Sequence, residues 1–93
     1  MEDYPMIIRR DRKYNFMGQD GNLISEKWFD EVYSFTEGYA LIEENGLYNF
    51  IDMNGQLLSK VWFEDAWCFS NGCAPVTAGG MLMEIDSMGN LIS

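Results

Sequence analysis

The chain contains no histidine and only two cysteines, Cys68 and Cys73. The first absence removes the commonest general base. The second means that no usual structural zinc site can be assembled, so neither a metal nor a cofactor is expected. In the repeat register described below, the cysteines fall opposite Ser34 and Tyr39, and two free thiols in a reducing compartment are expected. Basic residues are also scarce, six against 15 acidic ones for a net charge of −9. Arg9, Arg10, Arg12 and Lys13 lie together near the N-terminus, and only Lys27 and Lys60 follow them. An acidic body of this kind disfavours direct nucleic-acid binding, because it would gather counterions rather than release them, and it attracts basic protein surfaces. No apolar run approaches the ~18 residues of a membrane span. The opening Met1-Glu-Asp-Tyr-Pro lacks the basic and apolar regions of a secretory signal, so a cytoplasmic protein that avoids membranes is expected.

What the chain does have is a repeat. Ninety-three residues are enough for one small domain, and three tryptophans, five tyrosines and six phenylalanines supply large side chains for its core. Tyr14–Leu47 laid over Tyr48–Met81 matches at 12 of 34 positions without a gap. A partial copy, residues 6–13, precedes them and another, residues 82–93, follows. Gly21, Gly55 and Gly89 recur at the 34-residue period, as do Leu23, Leu57 and Leu91, and the pairs Phe16/Phe50, Trp28/Trp62 and Phe35/Phe69. Glycine at a fixed offset implies a backbone position with φ > 0, and bulky apolar residues at fixed offsets imply a stacked core.

Asp20-Gly21, Asn45-Gly46, Asn54-Gly55 and Asn71-Gly72 are dipeptides favoured by type I′ hairpin turns, and the segments between them have strand lengths. The expected fold is all-β: tandem antiparallel β-hairpin repeats stacked as a short twisted meander or solenoid. At most one short helical turn is expected, within Lys27–Phe35 and its copy Val61–Phe69.

The unit resembles the WG repeat of bacterial proteins, with the approximate pattern G-x-[WY]-G-[FY]-I-D-x-x-G-x-x-[IV]-[IV]-x-x-x-[YF]-[DE]-x-[AV]-x-x-F-x-x-G-x-A-x-V. The run from Gly46 through Tyr48, Phe50, Ile51, Asp52 and Gly55 matches its first half, and Phe63, Glu64, Ala66, Phe69, Gly72, Ala74 and Val76 match its second. The glycine of the Trp-Gly pair is Asn15 and Asn49 here, and Met83 in the last copy. A side chain therefore stands where the family has bare backbone. The resemblance implies an all-β repeat fold without catalysis of its own, and it names no ligand.

The residues that point to a partner lie in two matching stations, Trp28, Phe29, Asp30, Glu31 and Tyr33, then Trp62, Phe63, Glu64, Asp65 and Trp67. Neighbours in a strand face opposite ways, so one ring of each Trp-Phe doublet either packs against the next repeat or stands outside, where an aromatic anchors a partner and the carboxylates form an acidic rim. Duplication of the carboxylate pairs argues against an active site, and no enzyme is expected. Asp52-Met-Asn54-Gly55 opens like a calcium loop, but Val61 stands where the closing glutamate belongs, so a turn is expected. The reading is a binding module for a protein with a basic surface. One alternative is an acidic, nucleic-acid-mimicking inhibitor of a DNA- or RNA-processing enzyme. A second is an aromatic-lined site for carbohydrate or quaternary amines. The strand-like ends, Met6–Arg9 and Asn90–Ser93, are expected to pair with a second copy as a homodimer or to close on each other.

Overall fold

The computed structural model describes residues 4–92. Met1–Asp3 and Ser93 lie outside the described residues, and of the strand-like end Asn90–Ser93 the residues Leu91–Ile92 form a strand. Among the described residues nine strands follow one another: β1 (Met6–Arg10), β2 (Lys13–Met17), β3 (Glu31–Val32), β4 (Tyr39–Glu44), β5 (Leu47–Asp52), β6 (Asp65–Ala66), β7 (Cys73–Ala78), β8 (Met81–Asp86) and β9 (Leu91–Ile92). They form three antiparallel sheets, β1-β2, β3-β4-β5 and β6-β7-β8-β9. No helix occurs among the described residues, so the segments 27–35 and 61–69 are extended rather than helical. Phe29 bridges Tyr14 of the preceding hairpin, and two residues later Glu31 and Val32 pair with Glu43 and Ile42 of the next. Phe63 bridges Tyr48 in the same way before β6 pairs with β7. One short segment thus sews each hairpin to its successor.

Glycine placement distinguishes two turn types. Asn45-Gly46 joins β4 to β5 with φ of 55° and 82°, and Asn71-Gly72 has 56° and 85°, as type I′ requires. At Asp20-Gly21 and Asn54-Gly55 the glycine alone has positive φ, which corrects the I′ expectation there. Gly55 N–H donates to Asp52 O at 3.0 Å and Asp52 N–H to Gln56 O at 3.0 Å, a three-residue turn ending in a left-handed residue. The Asp52 carboxylate accepts from the backbone N–H groups of Asn54 and Gln56. Asp86 repeats this pattern with Met88 and Asn90, and these amides hold its carboxyl below the usual range. The calcium-like segment is accordingly a turn.

The core lies between hairpins. Ala40, Ile42 and Ile51 pack toward the β1-β2 hairpin with Phe16, Phe29, Val32 and Phe35. Leu41 and Phe50, on the opposite face, pack toward β7-β8 with Phe63, Phe69, Val76 and Ile85. The middle hairpin is therefore buried on both faces, which is why Ala40-Leu41-Ile42 reads as an unbroken apolar run rather than an alternation. The aromatic packing repeats as well. Phe16 meets Phe35 edge-on at 4.8 Å and Phe50 meets Phe69 at 5.1 Å, while Tyr4 and Tyr39 stack on Phe35 and Phe69. The outer face of β7-β8 has exposed Glu84 at the station of Phe16 and Phe50, a charged replacement suited to an end of the stack. Among the described residues β1 pairs only with β2 and β9 only with β8, so the two ends do not close on each other.

Candidate functional site

The ten residues singled out from sequence have different placements. Phe29 and Phe63 are 2% and 0% exposed, so they serve the core and cannot contact a partner. Trp28 and Trp62 are the outer members of each doublet, half-buried and each covered by a cation. The Arg10 guanidinium lies 4.6 Å from the Trp28 ring centre, and the Lys27 ammonium 5.7 Å from that of Trp62. Trp62 borders a groove of about 700 Å³ with Leu23, Ile24, Lys27, Gly55 and Leu57, at the junction of the two complete units.

The first carboxylate of each acidic pair is used internally. Asp30 accepts from the Asn45 N–H at 2.8 Å and pairs with Lys13 at 2.7 Å, which together hold its carboxyl below the usual range, the Asn45 bond foremost. Glu64 accepts from the Gly80 N–H at 2.9 Å. Both fasten the hairpin turn that follows them.

The second carboxylates, Glu31 and Asp65, are exposed, and Asp65 lines a different groove. Tyr33, Leu41 and Tyr48 from one unit and Asp65, Ala66, Trp67 and Cys68 from the next enclose about 340 Å³. Tyr33 and Trp67 are 41% and 52% exposed. In the β3-β4 register Glu31 stands directly opposite Glu43, a like-charge cross-strand pair, and Glu43 in turn stands opposite Tyr48. Burial, then Glu43, raises the phenol pKa of both Tyr33 and Tyr48. Among the described residues, ion pairs are found only from Lys13 to Asp30 and Glu44, so Glu31, Glu43 and Asp65 have no cationic partner there. At the preceding junction the station of Glu43 is held by Arg9 and that of Tyr48 by Tyr14. The acidic version belongs to the second junction.

Sequence reasoning reached Glu31, Tyr33, Asp65 and Trp67 but missed Tyr48 and Glu43. The recurrence of tyrosine at 14 and 48, one residue before a buried asparagine, was the available signal. Aromatic faces with unpaired carboxylates attract cations, through the ring quadrupole and by direct charge. Cys68 and Cys73 are free thiols, and burial pushes the pKa of Cys68 up, away from reactivity. No group of three or more acidic or cysteine side chains able to hold a metal occurs among the described residues.

A family model described as WG containing repeat matches the chain twice, over residues 16–48 and 50–81. No curated protein and no solved structure matches it.

Proposed function

The chain belongs to the WG-repeat family, and on that premise we propose that it is a non-enzymatic binding module that recognises a protein partner through the acidic, aromatic groove at its second junction. The observation that carries this reading is the uncompensated Glu31–Glu43 pair, with Glu43 opposite Tyr48, at a groove lined by Tyr33, Tyr48, Asp65 and Trp67. Like charges directly opposed in a sheet oppose folding, and an incoming cation relieves them. A lysine or arginine side chain of a basic partner suits the groove, with its alkyl stem against the rings and its head among the carboxylates.

A second reading has the same chemistry on a smaller scale: three rings and Asp65 in one groove, with Glu43 opposite one of those rings, suit a quaternary amine. The imitation of nucleic acid rests on net charge alone and draws no support from this arrangement.

The test is a titration of the protein with glycine-flanked peptides carrying one arginine, one lysine or one trimethyllysine, followed by tryptophan emission. Saturable binding is expected. Removing the Trp67 ring by Trp67→Ala is expected to weaken it by about tenfold or more, as for a hot-spot aromatic. The tyrosine titration gives an independent check. A bound cation favours the phenolate, so with the arginine or trimethyllysine peptide, whose charge persists above about pH 10, the raised midpoints of Tyr33 and Tyr48 are expected to fall on saturation. Preference for trimethyllysine over arginine and lysine favours the quaternary-amine reading. Absence of saturable binding by all three peptides contradicts both readings. Capture of a basic enzyme that double-stranded DNA displaces and that Trp67→Ala still binds favours the inhibitor instead.

A further inference from the structure

Two hollows meet at Trp62, between the two complete units. The larger is the groove of about 700 Å³, within the roughly 300–1,000 Å³ of small-ligand sites. The smaller, about 240 Å³, is lined by Glu44, Asn45 and Leu47, and Lys27 borders both. Trp62 is half-buried and packs against the core of the first junction.

Part of this lining is not needed by the fold. Leu23 and Ser25 return one period later as Leu57 and Ser59, as structural residues do. Glu26, Lys27 and Asn54 return as Lys60, Val61 and Met88. Yet the next copy makes the same backbone connections, with Phe63 bridging Tyr48 as Phe29 bridges Tyr14, and Gly89 bonding Asp86 as Gly55 bonds Asp52. Neither the bridge nor the turn therefore requires an acid, a base or an amide at these stations. No hydrogen bond or ion pair among the described residues engages the Glu26 carboxylate, the Lys27 ammonium or the Asn54 side-chain amide. Lys27 rests over the Trp62 ring at 5.7 Å, near the roughly 6 Å limit of such contacts, and so turns aside at little cost.

The chemistry of the lining selects a neutral guest. Among the described residues that line the larger groove, the charged ones are Glu26 and Lys27, which balance each other. An ion of either sign meets as much repulsion as attraction, unlike at the acidic second junction. The carboxylate accepts hydrogen bonds, the ammonium donates them and the amide does both, which matches hydroxyl groups. The indole adds a flat, electron-rich face that suits polarised C–H bonds. A pyranose with equatorial hydroxyls has both features, axial C–H bonds on its faces and hydroxyls around its rim.

We infer that the Trp62 groove is a carbohydrate-binding site, which takes a neutral, equatorially hydroxylated pyranoside. The C–H face of one sugar lies on the indole, and its hydroxyls meet Glu26, Lys27 and Asn54. The smaller hollow gives a further sugar unit room across Trp62. The site is separate from the cation groove, and each stands without the other.

The experiment titrates the full chain with cellotriose and chitotriose as neutral probes and with trigalacturonate as an anionic control. Saturable binding of a neutral trisaccharide is expected, with the indole N–H resonance of Trp62 moving and that of Trp67 unmoved. Asn54→Met and Glu26→Lys introduce the residue types that the next copy has at the same stations, so the fold is kept. Each is expected to weaken binding by about fivefold to tenfold, the loss of one hydrogen bond. Glu26→Lys also makes the groove cationic, so trigalacturonate is expected to bind this variant more tightly than the parent. That gain separates a lost contact from a damaged fold. Failure of both neutral probes to saturate, or a shift at Trp67 in place of Trp62, overturns the inference. So does a parent that prefers trigalacturonate, or undiminished binding of the neutral probes by both variants.

Discussion

Gly55→Ala is expected to destabilise the protein by more than about 3 kcal/mol, whereas Gly21→Ala costs only about 1–2 kcal/mol. The two glycines hold the same station in successive copies, with nearly equal φ of 82° and 83°. The backbone strain of an L-residue there is common to both, so the difference lies in the surroundings. A methyl on Gly21 meets nothing within 4 Å. A methyl on Gly55 would overlap the carbonyl oxygen of Ile24 and stand 2.7 Å from its carbon. That neighbour is backbone, so relief requires the two units to move apart at their junction. Gly89 is intermediate, since its methyl would stand 3.0 Å from Leu58 O. Urea midpoints are therefore expected to fall in the order Gly21→Ala, Gly89→Ala, Gly55→Ala. Equal losses at all three would mean that the turn alone, and not the contact between units, requires glycine.

Asn49→Leu is expected to cost about 2–4 kcal/mol, because it strands buried backbone groups that nothing else satisfies. Asn49 and Asn15 are fully buried. The Asn49 amide nitrogen donates to Ser59 O at 2.9 Å, while its oxygen accepts from Phe50 N–H at 2.7 Å and Ser59 N–H at 3.4 Å. Asn15 makes the same bonds to Ser25 O and Phe16 N–H. The side chain replaces a missing rung where the returning chain diverges from the hairpin. Leucine copies the branching at Cγ, is bulkier, and offers no hydrogen bond. In a domain of this size the loss corresponds to a fall in Tm of roughly 10–25 °C. Asn49→Gly is expected to cost less, since the vacated space has polar walls that suit a bound water. Thermal melts of the two variants check this, and a leucine variant as stable as the parent would mean that the asparagine is not a strut.

These two sites also show where the sequence was legible. The 34-residue recurrence announced the hairpins, their period and the stacked core, because glycine at a left-handed turn and phenylalanine in a core have few substitutes. Asn15 and Asn49 registered only as departures from the family pattern, since burial of a polar side chain leaves no trace in a periodicity. The Trp-Phe doublets raised the question of which ring faces out, and strand alternation could not answer it, because the answer depends on the hairpin that each doublet joins. Phe29 and Phe63 bridge the preceding hairpin and are buried, whereas Trp28 and Trp62 stay at the surface under Arg10 and Lys27. In sequence the acidic pairs read as one rim, yet Asp30 and Glu64 turn to the backbone, Asp65 lines the groove, and Glu31 stands opposite Glu43. Glu43 joins them through a register that sequence spacing alone does not fix.

The folded module and its groove both depend on one hairpin, β4-β5, held between its two neighbours. Native-state hydrogen exchange, read amide by amide, measures this most directly. The slowest amides are expected in β4 and β5, at the rate of global unfolding, with the outward amides of β1 exchanging far faster. Equal protection across the three hairpins, or a β4-β5 pair that opens before its neighbours, would contradict the account.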